Sequence, residues 1–171
     1  MRVRVFVTRF VPVVAVSSVA LLASLSTACS SDDKSGATCS DYSPPAGFDA
    51  NNPAKSFSKD VHPILKRSCA TTSCHGAATN EGHVFISGDA PTTYGAIVNV
   101  PSVKLKSMVY VKPSDPQNSF LMRKVDGSQC VLDAQCEGKT CGEAMPNKEA
   151  QLPLDERDTI RRWIAQGAKN D

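Results

Sequence analysis

Apolar residues gather first in one dense run and later at helical spacings, with a polar interval between the two. The run extends from Phe10 to Leu25, is led by Arg2, Arg4 and Arg9, and ends in Ser26-Thr27-Ala28-Cys29. A basic start, an apolar middle and small residues at the end make an export signal, assigned to residues 1–28. Pro12, Ser17 and Ser18 interrupt the run, which is short for a bilayer span, so an uncleaved membrane anchor is the weaker reading. Residues 29–55 are mostly Ser, Asp, Asn, Ala, Gly and Pro, with Tyr42 and Phe48 as the large apolar side chains, which is the pattern of a flexible tether.

Beyond residue 55 the apolar spacing becomes helical. Ser58 can cap a helix through residues 59–67, in which Val61, Ile64 and Leu65 share a face and Pro63 falls near the first turn. That helix delivers Cys69. A short helix is expected from Thr92 through Tyr94, Ile97 and Val98, limited by Pro101, and Leu105 to Val111 forms an ambiguous, strand-like run that Pro113 stops. Ser114-Asp115-Pro116 opens a helix in which Phe120, Leu121, Lys124 and Val125 recur at three and four before Gly127. The clearest helix starts near Pro153, carries Asp155, Glu156 and Asp158 in its first turns, and buries Ile160, Trp163 and Ile164. Gly167 stops it, and Arg161 and Arg162 are expected on its solvent face. The sum is a small all-α domain with long loops over residues 56–171, without an internal repeat.

Composition narrows the picture. A chain that is 21% charged and 41% hydrophobic suits one soluble core, but six Phe and one Trp supply little large apolar mass, so a staple or a cofactor is expected. Removing the signal takes three arginines and no acids, leaving 16 basic against 17 acidic residues and no basic patch for nucleic acid. Export puts the domain in the periplasm or cell envelope, where free thiols oxidise, so each of the seven cysteines needs a fate.

Two of them lie in Cys69-Ala70-Thr71-Thr72-Ser73-Cys74-His75. Two close cysteines followed at once by histidine are what covalent haem attachment needs: the thiols bond to the two vinyl groups and the histidine is held under the iron. Four residues separate Cys69 from Cys74 where two are usual, and the extra pair can loop outward. A local disulfide or a zinc site using Cys69, Cys74 and His75 are the competing readings of the motif alone. Cys39, Cys130, Cys136 and Cys141 make an even set that reads as two disulfides in any of three pairings. The bridges are expected to stiffen the loop before Met145.

Further residues extend the pattern around this motif. The order Phe57, Val61-His62-Pro63-Ile64-Leu65, Cys74-His75-Gly76, Val111-Lys112-Pro113-Ser114-Asp115-Pro116, Ser119-Phe120-Leu121, Cys141-Gly142-Glu143-Ala144-Met145-Pro146, and Glu156, Ile160, Trp163-Ile164, Gly167-Ala168 resembles the monohaem cytochrome c-like domains of exported bacterial proteins. The resemblance spans nearly all of residues 56–171 and implies one covalent haem c, with Met145 as distal ligand opposite His75. Met108 and Met122 are the rival thioethers, and His62 and His83 the rival imidazoles, with His62 expected to face solvent. It implies an electron carrier, not an enzyme, working with redox partner proteins; a haem-free, disulfide-stapled binding or structural module is the alternative. Ser26-Thr27-Ala28-Cys29 resembles a bacterial lipobox, with Leu25 one step further out than usual, which implies lipidation of Cys29 and a membrane anchor; simple cleavage after Ala28 is the other outcome.

Overall fold

Helix starts in this protein are set by polar side chains that meet unsatisfied backbone donors. Ser56, and not the expected Ser58, is the first cap: it accepts from Lys59 N through its hydroxyl (3.3 Å), and Asp60 reaches back to Ser56 N (2.8 Å). This opens a π-helical turn, Phe57–Val61, which runs directly into α1 (His62–Cys69). Asp171 takes two more free donors of that first turn, Phe57 N through its carboxylate (3.0 Å) and Ser58 N through its main-chain oxygen (2.9 Å). Asp89 caps α2 (Ala90–Ile97), accepting from Thr92 N at 2.9 Å.

These coordinates are a computed structural model, and they describe residues 39–76, 84–86 and 88–171, which belong to one compact unit. The expected export signal at 1–28, the lipid acceptor Cys29, tether residues 30–38 and His83 lie outside the described residues.

A 3-10 turn, Pro116–Asn118, precedes α3 (Phe120–Val125), and two 3-10 turns, Gln129–Gln135 and Glu137–Lys139, follow it. The first amides of α3 are satisfied by the preceding segment: Phe120 N donates to Val109 O (3.0 Å) and Leu121 N to Tyr110 O (2.9 Å). That segment, ambiguous in sequence, forms only two isolated bridges, Val98 with Val111 and Pro101 with Val109. Among the described residues the fold is therefore helical, with no named strand.

The last helix, α4 (Leu154–Ala165), supplies the centre of the core. Trp163 is fully buried, its ring 4.9 Å from Phe57 and 6.3 Å from Tyr94, and its Nε1 donates to Lys169 O at 2.9 Å. Gly167, at φ +99°, lets the chain turn back so that Ala168 N reaches Trp163 O (2.9 Å).

Three expectations about exposure are corrected. Arg161, expected in solvent, is 5% exposed and forms hydrogen bonds with Asp126 at 2.9 and 3.0 Å, because Asp126 is itself buried and needs cations. Arg162 is half-buried, donating from Nε to Asp49 O (2.9 Å) and Asn52 O (3.0 Å). His62, also expected in solvent, is 7% exposed beside Phe57, at the junction where the π-helical turn becomes α1.

The expected tether has a further surprise in its described part, residues 39–55. It has no regular secondary structure, yet it lies against the helical body. Cys39 is bonded to Cys130, Asp41 pairs with Arg123, Tyr42 lies under the Arg157 and Arg161 guanidinium groups, and Phe48 under Arg162. Gln166 finishes the strap by donating to Ala50 O and Pro53 O while accepting from Lys55 N. Sequence composition alone reads as loose because these contacts use main-chain carbonyls and two rings, not a periodic apolar face.

Of the three possible pairings of four cysteines, the structure has Cys39–Cys130 and Cys136–Cys141. Such bonds are compatible with an extracellular or periplasmic location. Among the described residues no helix is long and apolar enough to cross a membrane.

Candidate cofactor cavity

The C-terminal end of α1 places Cys69 in a buried position, and the chain then makes a closed turn. Cys74 N and Gly76 N both donate to Thr71 O (3.0 and 2.9 Å), and His75 N donates back to Cys69 O (3.1 Å). The long spacing is thus absorbed by an exposed turn at Thr71, Thr72 and Ser73, while the two ends of the motif stay joined. Gly76 is demanded by this closure, since a Cβ there would sit 2.2 Å from Ala70 O and 2.9 Å from Thr71 O.

His75 is oriented by Val84, whose carbonyl accepts from Nδ1 at 3.1 Å. A proton held on Nδ1 leaves the lone pair on Nε2, the arrangement of a metal-ligating imidazole. Ile86 N donates to His75 O (2.8 Å), so the same short segment holds both the main chain and the ring.

These residues line a cavity of about 750 Å³ between the end of α1, α3 and the 141–149 loop, within the size range of cofactor sites. Leu65, Val84, Ile86, Ile97, Phe120 and Val125 make its walls largely apolar. Cys69, Cys74, His75 and Met145 all line it, brought together from two distant parts of the chain. Met122 is instead buried in the core and Met108 lines a separate surface depression, so among the described residues neither reaches this cavity. His62 does not line it either.

Cys69 and Cys74 are free thiols, not bonded to each other. Burial, with a smaller contribution from the neighbouring Cys74, pushes the Cys69 thiol up to about 11. Among the described residues no group of three or more His, Cys, Asp or Glu side chains is arranged to hold a metal ion.

The loop that carries Met145 is held residue by residue. Cys141 N donates to Asp133 Oδ1 (2.7 Å), Gln129 Nε2 donates to Gly142 O (3.2 Å), and Met145 N donates to Lys124 O (2.9 Å). Lys124 Nζ donates to Cys141 O (2.9 Å) and to Glu143 O. Burial lowers the Lys124 ammonium to about 8, against the opposing pull of Glu143. Lys124, Gln129 and Asp133 were not singled out from sequence as site residues. The signal for Lys124 was present, as a lysine on the apolar stripe of α3 four residues from Phe120; Gln129 and Asp133 left none, because they act on main-chain groups.

No protein-family model, curated protein or solved structure matches this chain.

Proposed function

We propose that this chain is an exported monohaem c-type cytochrome that carries single electrons. The observation that carries the reading is the convergence of Cys69, Cys74, His75 and Met145 on one apolar cavity. Two free thiols, an imidazole with Nε2 available and a soft thioether, between aliphatic and aromatic walls, are a donor set that fits haem c. Haem bound there would supply a one-electron iron couple. Cys69 and Cys74 would each add S–H across a vinyl double bond, sulfur to one carbon and hydrogen to the other, a step that needs no oxidant. His75, through Nε2, and Met145, through its thioether, are the residues that would hold the iron. An imidazole and thioether pair would favour reduced iron, which suits electron transfer. Leu65, Ile97 and Phe120 would give the group an apolar surround. The cytochrome c-like arrangement of the helices, a lipid anchor on Cys29 and redox proteins as partners belong to the same proposal.

The test is expression with a cytochrome maturation system, followed by a pyridine haemochrome spectrum and intact mass. One covalent haem is expected, lost when Cys69 and Cys74 are both replaced by alanine. A colourless product of unmodified mass overturns the proposal and leaves the haem-free, disulfide-stapled module.

A further inference from the structure

Lys124 sits on the cavity wall in an unusual position for a lysine. It belongs to α3, one turn after Phe120, lines the cavity together with Phe120 and Val125, and its Nζ lies 5.9 Å from the centre of the Phe120 ring. Its ammonium is turned not toward a carboxylate but toward two main-chain carbonyls, Cys141 O at 2.9 Å and Glu143 O. Its own carbonyl receives Met145 N at 2.9 Å. One residue therefore grips the Met145 loop from both ends of its span, next to the Cys136–Cys141 bond. Lys104 and Lys148 also line the cavity, but both are exposed, where water screens their charge. The charged groups that act on Lys124 are Glu143, Lys104 and Asp133.

We propose that Lys124 is the positioning residue of the distal-ligand loop and, as a half-buried cation on the cavity wall, raises the reduction potential of the bound haem. The second half rests on the cytochrome reading; the first does not. A charge-assisted hydrogen bond to a carbonyl is stronger than a neutral one, so two of them on carbonyls two residues apart hold the loop in one shape. Ferric haem carries one more positive charge than ferrous, so a fixed cation nearby disfavours oxidation. No neutral side chain can do both.

The clamp is tested in protein without haem. In a sample uniformly labelled with 13C and 15N, one lysine ammonium should show couplings across hydrogen bonds to the Cys141 and Glu143 carbonyl carbons, and Lys124→Met should speed exchange of the Met145 amide by roughly tenfold or more. Absence of those couplings, or unchanged exchange, overturns the clamp whether or not haem binds. The potential is tested in the haem-loaded protein. Lys124→Met should attach haem normally, lose intensity in the sulfur-to-iron absorption band and shift the potential downward, while Lys124→Arg, which keeps the charge, should recover most of the potential. An unchanged potential in Lys124→Met, or an equal drop in Lys124→Arg, overturns the electrostatic role. Failure of the wild type to take up haem would instead strike at the cytochrome proposal and leave the clamp result standing.

Discussion

At the scale of single residues, chemistry around the cavity is decided by what each side chain faces. Cys69 and Cys74 have the same thiol, but Cys69 is buried at the end of α1 and Cys74 is half-exposed on the following turn. The thiolate is the nucleophile, and burial with a pKa of about 11 leaves Cys69 almost entirely protonated at neutral pH. Iodoacetamide added to haem-free protein should therefore label Cys74 well before Cys69, as peptide mapping by mass spectrometry would show; equal labelling would contradict the burial argument. The same shift has a stability consequence with a definite sign. Between the ordinary thiol value of 9.0 and the native value of about 11, the unfolded chain has lost the Cys69 proton and the native one has not. The unfolded state then binds fewer protons, so this group makes haem-free protein less stable as pH rises through that window.

Elements come next, and the two disulfides do different work because they close different loops. Cys39–Cys130 spans 91 residues, whereas Cys136–Cys141 spans 5 and sits inside the turn that leads to Met145. In the chain-entropy view the long closure contributes on the order of 4 to 5 kcal/mol and the short one about 2 kcal/mol. Replacing Cys39 and Cys130 with serine should lower the urea midpoint more than replacing Cys136 and Cys141. The second pair of substitutions should act locally and cost less global stability, and, on the proposed ligation by Met145, weaken the sulfur-to-iron absorption band of haem-loaded protein. A reversed order would mean that the strap at residues 39–55 is held by its contacts with Arg157, Arg161, Arg162 and Gln166 without help from the covalent bond.

The whole molecule is tied together by a buried ionic cluster away from the cavity. Asp126, its side chain 4% exposed, accepts from Arg157 at 3.0 Å and from Arg161 at 2.9 and 3.0 Å, and Arg161 Nε reaches Asp158 at 3.3 Å. Tyr42 of the strap covers the two guanidinium groups, so helix α4, the end of α3 and residues 39–55 meet at one point. Removing the carboxylate leaves Arg157 without its ion pair and Arg161 with Asp158 alone. Asp126→Asn should cost about 3 to 5 kcal/mol, read from the urea unfolding curve, a large part of the stability of a domain this size. Here the amphipathic pattern was misleading: Arg161 follows Ile160 in the sequence and looks like the solvent side of the helix, but a strap from far upstream closes over it.

Sequence alone determined the local features of this protein. Helical spacing and Pro and Gly punctuation located the main helices, because those signals act within one or two turns of backbone, whereas the first two caps are Ser56 and Asp89 and not the expected Ser58 and Thr92 starts. The Cys69-to-His75 motif was legible for the same reason, and so was the lysine on the stripe of α3, though not its purpose. Tertiary structure decided which distant groups meet: the pairing of four cysteines, the docking of residues 39–55, the burial of His62 and Arg161, and the arrival of Met145, rather than Met108 or Met122, at the cavity of Cys69, Cys74 and His75. Those choices depend on contacts between segments far apart in the chain and on main-chain carbonyls that every residue carries, so no residue type announces them in advance.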